Sequence, residues 1–202
     1  MSHLFPDELK SERLTFHRLS RDNLSVREFY DACKQSPEME TVTEYMPWEP
    51  HQTMKPSREF LERREKLWDE GDEATYFIVP KAGEDGAGEF AGVATLHCHW
   101  DRRVGGLGTW LKKAYWGRGY SGERAGVLME LAFERLDLDY VEVTHHAENT
   151  KSQRAIEKYM AAHGGQQDAI LRNWLPYSDH VADEVYYSVS QDQWREAVSA
   201  ES

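Results

Sequence analysis

Cysteine is almost absent from this chain. Cys33 and Cys98 are the only two in 202 residues, and neither belongs to a Cys-x-x-Cys pair, so no disulfide framework or thiolate zinc cluster is indicated. Long apolar runs are missing as well. None approaches the roughly 18 residues that a membrane-spanning helix needs, which speaks against a membrane partner. The start, "MSHLFPDELKSERL", has neither a basic cap nor an apolar run and does not read as a signal peptide. Positive charge is in deficit: Lys and Arg number 24 against 36 Asp and Glu, a formal net charge of −12. Nucleic acid is therefore a poor partner, because phosphate binding needs a basic surface. No internal repeat, low-complexity tract or linker interrupts the chain.

What is present is a globular composition, 40% hydrophobic and 12% aromatic, in a chain long enough for a proper core. One domain over residues 1–202, cytoplasmic and monomeric or homodimeric, is the expectation. "RLTFHRLS" alternates apolar and polar residues and predicts a strand; "DNLSVREFYDACKQ" predicts a helix. The proline-punctuated "TEYMPWEPHQTMKP" predicts a loop, with Ser57 as N-cap of the helix "REFLERREKLWDEG" and Gly71 at its end. "ATYFIVP", "FAGVATLHCHW" and "GGLGTWL" predict an antiparallel run. Next come an amphipathic helix, "SGERAGVLMELAFERL", a short strand, "YVEVTHH", and a helix, "NTKSQRAIEKYMAAH", capped by Asn149 or Thr150. "AILRNWL" and "EVYYSVS" close the pattern as strands, with "QDQWREAV" a terminal helix. The order predicts an α/β fold, a mixed sheet with helices on both faces.

Gly117, Gly119 and Gly122 in "YWGRGYSGE" match G-x-G-x-x-G, and Glu142 lies twenty residues beyond, as in a dinucleotide-binding fingerprint. The context is wrong for that motif. Five residues, Lys112 to Trp116, separate the strand from Gly117, and the preceding strands are antiparallel rather than successive βα units. What survives is the physics of a glycine-rich helix entry, whose unpaired N–H groups and dipole favour an anion, with Arg118 as a neighbouring cation. The bland alternative is a turn that merely starts a helix.

"GTWLKKAYWGRGYSGERAGVLMELAFERLDLDYVEV", followed by "AENTKSQRAIEKY", resembles the GNAT superfamily of N-acetyltransferases, and within it the RimJ/RimL-like branch that acetylates N-terminal amines of ribosomal proteins. The resemblance runs from "SERLTFHRL" to "EVYYSVSQDQW" and includes "YMPWEPH". It implies a mostly antiparallel sheet splayed between its fourth and fifth predicted strands, "GTWL" and "VEVTHH". It also implies acetyl-CoA as acetyl donor and an amine acceptor, on a protein N-terminus or a small molecule. The pyrophosphate loop falls on Trp116, Gly117, Arg118, Gly119, Tyr120 and Ser121, with Gly122 beside it. The pantetheine arm is expected on the backbone of Trp110 and Leu111.

Asn149 and Ser152 occupy the family's N-x-x-S position, Asn149 to fix the arm or the loop and Ser152 to protonate the leaving sulfur. Asn149 as a plain helix cap is the rival account. The family's tyrosine acid is replaced by Ile156, with Tyr159 one turn further, and "ILRNWL" lacks the branch's basic glutamate. Replacement bases are Glu142, Glu49 and the histidines. His97 and His99 share one face of a strand and suit an acceptor-site base. With no third ligand evident, no metal is indicated. Tyr45, Trp48 and Glu49 are expected to wall the acceptor side. A protein of this fold that holds CoA without turnover is the alternative from another class. Acetyl-CoA should raise the melting temperature by binding linkage while NAD, NADP and FAD leave it unchanged; a shift with NAD alone would refute the acetyl-CoA assignment.

Overall fold

The structure is a computed structural model that describes residues 4–177 and 180–201. Its strands are β1 (Glu8–Lys10), β2 (Leu14–Arg18), β3 (Glu73–Pro80), β4 (Gly92–His99), β5 (Val104–Leu111), β6 (Tyr140–His146), β7 (Gln166–Pro176) and β8 (Val181–Ser190). They form one open sheet in the order β1-β2-β3-β4-β5-β6-β8-β7. Every neighbouring pair is antiparallel except β5 and β6, which run parallel. The helices are α1 (Val26–Cys33), α2 (Pro37–Thr43), α3 (Met54–Glu70), α4 (Tyr120–Glu130), α5 (Thr150–Ala162) and α6 (Gln191–Glu201).

Alternation along the strands divides the core in two. Leu14, Phe16, Ile78, Leu96, Val141, Val143 and Val189 join Leu128 and Met129 of α4, Ile156 and Met160 of α5 and Trp194 of α6 in one cluster. Phe77, Val93 and Trp110 face the other way, against Phe29 and Cys33 of α1, Met39 and Val42 of α2 and Leu61 of α3. The central strands are buried on both faces, which is why β3 reads as a continuous apolar run. A π-helical turn, Leu131–Arg135, completes the predicted long helix and buries Leu131 and Phe133. Both cysteines are buried and free, and burial pushes each thiol up to about 12. No helix among the described residues is long and apolar enough to cross a membrane.

One expectation changes. The helix assigned to begin at Ser57 begins at Met54, because Pro56 falls in the first turn, where its missing N–H is not needed. Ser57 lies inside the helix, fully buried, with its hydroxyl 2.7 Å from Nδ1 of His51. Two elements were also unforeseen: β1, and α2, whose start is marked by the Ser36 cap on the Met39 N–H and by Pro37 at the first position. Gly71 ends α3 in the left-handed conformation, φ 80°, as its position predicted.

Gly92 pairs with Leu111 at the start of β4, and a Cβ there would sit 2.2 Å from the Trp110 carbonyl. Gly92→Ala should therefore cost at least about 2 kcal/mol, as overpacking against backbone cannot relax. Gly117→Ala meets open space, and its φ of 76° should cost only about 1–2 kcal/mol. Urea unfolding of the two variants checks the order.

Candidate active site

The parallel pairing of β5 with β6 covers only Val104–Gly106 and Tyr140–Glu142. Beyond it β5 continues to Leu111 and β6 to His146 without partnering each other, which opens a wedge between two strand ends. The Lys112 N–H donates to the Ala91 carbonyl at 2.8 Å, on the β4 side. Strand alternation then turns the backbone of Trp110 toward β4 and that of Leu107, Thr109 and Leu111 toward the wedge. The expected pantetheine contact on the Trp110 backbone is corrected accordingly: its polar groups belong to the ladder, and its ring packs on Trp48 and Phe90. The Leu111 carbonyl does face the wedge, where it accepts the Trp116 indole N–H at 2.8 Å.

The glycine loop lies at the mouth of this wedge. Gly117 (φ 76°) and Gly119 (φ 82°) both adopt left-handed backbone, which glycine tolerates without strain. Gly119 is the N-cap of α4 and provides no side chain to cap it. Among the described residues the N–H groups of Gly117 through Ser121 have no protein acceptor, an array suited to a diphosphate. Glu123 fixes the loop from behind. Its carboxylate accepts from the Ser11 hydroxyl at 2.6 Å, the Arg13 N–H at 2.7 Å and the Arg13 guanidinium, which also donates to the Arg118 carbonyl at 2.9 Å.

Three members of the expected cofactor set point elsewhere. The Gly122 N–H donates to the Gly119 carbonyl, and its Cα side lies against Tyr159 of α5. The Tyr120 side chain is buried, its hydroxyl donating to Glu84 at 2.6 Å. The Arg118 guanidinium is engaged by Asp85.

The first turn of α5 adjoins the loop, with the Lys151 ammonium 4.9 Å from the centre of the Trp116 ring. Asn149 is its N-cap, Oδ1 accepting the Ser152 N–H at 3.0 Å, so the capping account holds and Thr150 is the first helical residue. Ser152 is half-buried, and its hydroxyl has no hydrogen bond among the described residues. Tyr159 is buried beneath α4 beside Arg124, and burial raises its phenol, so it packs rather than facing the wedge.

On the face covered by α1–α3, Gly106 and Gly108 leave β5 bare, and the His97 ring lies over them. Nδ1 of His97 is 2.8 Å from Oε2 of Glu73, a residue 3% exposed at the start of β3. Burial pushes the Glu73 carboxyl up, but His97, Arg64 and Thr75 more than offset this and hold it at about 2. Nε2 of His97 is left on the glycine floor, on a side chain 44% exposed. His99 is more remote, 3.8 Å from a Glu142 carboxylate that Arg102 and Tyr186 already engage.

The loop between α2 and α3 bridges the wedge, with Trp48 against Trp110 on the β5 bank and the Tyr45 ring 5.0 Å from His146 on the β6 bank. Glu49 in that loop is exposed. Glu73 and the buried Glu184 had not been singled out in the sequence; their signal is a carboxylate at an inward position of an otherwise apolar strand.

The acetyltransferase (GNAT) domain family matches residues 13–160. An uncharacterized N-acetyltransferase, YnaD of Bacillus subtilis, is 24% identical over 124 residues, 61% of this chain and 69% of that protein. A GCN5-related N-acetyltransferase from Brucella melitensis superimposes with TM-score 0.75 at 20% identity, covering 96% of this chain and 85% of its own. RimL, a ribosomal L7/L12 alpha-N-protein acetyltransferase in complex with coenzyme A, superimposes with TM-score 0.75 at 15% identity, covering 91% and 97%. A spermidine N-acetyltransferase SpeG chimera from Vibrio cholerae and hSSAT gives 0.69 at 16% identity, covering 90% and 98%. The open sheet, with its single parallel pair, is the GNAT fold.

Because folding lowers the Glu73 pKa, its stabilisation is complete above the ordinary carboxylate value of 4.5 and is lost as pH falls toward about 2. The wild type should lose about 3 kcal/mol of unfolding free energy across that interval relative to Glu73→Gln, as read by urea titration at stepped pH.

Proposed function

Since the chain belongs to the GNAT acetyltransferase family, whose members use acetyl-CoA, we propose that this N-acetyltransferase acts on the α-amine of a protein N-terminus with His97 as its base. The observation that carries this is the Glu73–His97 pair over the bare floor of β5. An α-amine, ordinary pKa about 8, gives up its proton more readily than an alkyl amine at about 10.4, and so asks less of the base that receives it. The likeness to RimL supports assignment to the RimJ/RimL-like branch. A small-molecule amine is the second reading, favoured by the likeness to SpeG and by the aromatic enclosure around His146.

Acetyl-CoA supplies a thioester whose carbonyl carbon the amine attacks, forming the amide as the carbon–sulfur bond breaks. The backbone N–H groups of Gly117 through Ser121 hold the diphosphate, and the wedge-facing backbone of Leu107 and Thr109 aligns the arm. Glu73 fixes the His97 ring and favours the proton on Nδ1, leaving Nε2 to take the proton from the amine. Ser152, on the first turn of α5, passes its hydroxyl proton to the departing sulfur and regains one from water, and the helix N-terminus favours the negative charge that develops there. Membership of an enzyme family favours turnover over a sensor that only holds CoA.

His97→Gln should lower kcat/KM for N-terminal peptides by about 10²–10⁴-fold while CoA affinity stays within a few-fold. Thiol release with peptides, aminoglycosides and polyamines measures both the base and the acceptor class. An unchanged rate would remove His97 from the reaction. Ser152→Ala should likewise reduce kcat rather than CoA affinity.

A further inference from the structure

On the far bank of the wedge, Glu184 of β8 lies directly across from His146 of β6, on the face opposite α4 and α5. The residue is 2% exposed, and among the described residues its Oε1 has no hydrogen-bond partner. Burial holds Glu184 above the usual carboxylate range, although Thr144, His146 and His145 each pull it down. Rings surround this end of the strand. His146 is 5.0 Å from Tyr45 and 5.4 Å from Tyr177, and Tyr177 stacks on His180 at 5.0 Å and 9°. The Tyr177 hydroxyl donates to the Tyr45 carbonyl at 3.2 Å, tying the β7–β8 end to the α2–α3 loop. Burial, and after it the charge of Glu184, pushes the Tyr177 phenol up to about 12.

A buried carboxyl with an unused oxygen lacks a donor, and such groups ordinarily have one. Ring faces add attraction for a cation, and the −12 charge of the chain adds more at long range. We propose that Glu184 with Tyr45, His146 and Tyr177 forms a subsite for an organic ammonium group carried by the acceptor, distinct from the amine that is acetylated. The distinction follows from register. His97 aligns through Gly106 with Glu142, and Glu142 and His146 are four residues apart, about 13 Å along a strand. The acceptor therefore has two cationic ends: one is deprotonated under His97, and the other ionises Glu184 and stays charged. Only the word acceptor rests on the acetyl-transfer reading; the cation site does not.

Calorimetric titration of the protein saturated with CoA tests this. A linear aliphatic triamine should bind at least ten-fold more tightly than n-butylamine, and Glu184→Gln should erase the difference. Tyr45→Leu, in the half-buried loop, should weaken triamine binding several-fold and provides a second variant if Glu184→Gln fails to fold. A tripeptide with lysine second, compared with the same peptide carrying norleucine, separates the two sources of the cation. Preference for the lysine peptide assigns a basic protein N-terminus, and preference for the triamine assigns a polyamine. Equal affinity for mono- and polycations, or an unaltered preference in Glu184→Gln, overturns the subsite. Triamine binding that depends on Glu184 without thiol release from any amine would leave the subsite standing and overturn the acetyl-transfer reading instead.

Discussion

The brevity of one strand pairing governs the molecule. β5 and β6 share three residue pairs and then part, so two strand ends with unspent backbone groups face each other across a gap. Both strands lead into helices that start at that gap, α4 through the glycine loop and α5 through Asn149. A sheet that stayed paired to Leu111 would bond the backbone of Leu107 and Thr109 within the ladder and leave no room between the banks. The divergence thus produces a slot with donors on its sides and two helix N-termini at its mouth. The acceptor face adds a floor stripped of side chains at Gly106 and Gly108.

Three glutamates, Glu73 and Glu184 buried and Glu123 half-buried, show how the same residue type is put to different ends by its neighbours. Glu123 is enclosed by donors from Ser11 and Arg13 and stays ionised as a brace for the loop. Glu73 faces Arg64, Thr75 and His97, stays ionised, and sets the orientation of an imidazole. Among the described residues Glu184 has no cationic side chain in hydrogen-bond contact, and burial keeps it toward its neutral form. The first two are satisfied from within the chain. The third keeps one oxygen without a donor among the described residues, and that difference marks it as a place for something from outside.

Much of this was legible in the sequence, for reasons that differ by element. Period-two alternation located the strand around Phe16, a short apolar run located that around Ile78, and Gly71 and Asn149 marked helix ends by their own backbone and side-chain chemistry. The glycine loop was legible because left-handed backbone at Gly117 and Gly119 needs glycine. Pro56 misled, since a proline reads equally as a breaker and as a first-turn residue. Backbone direction at Trp110 depends on which neighbour β5 pairs with, and residue types do not carry that information. The partnerships of Glu73 and Glu184 join residues 24 positions apart or on different strands, so only the folded sheet brings them together.

The fate of the two cysteines bears on how the chemistry is followed. Cys33 ends α1 within the cluster beneath it, and Cys98 is buried on β4, both with thiols pushed up to about 12. At neutral pH neither presents an accessible thiolate, the form that attacks disulfide reagents. A chromogenic disulfide added to a folded sample should therefore register free CoA against a nearly silent protein background. The same burial makes a slow rise in colour without substrate a direct readout of the sheet opening.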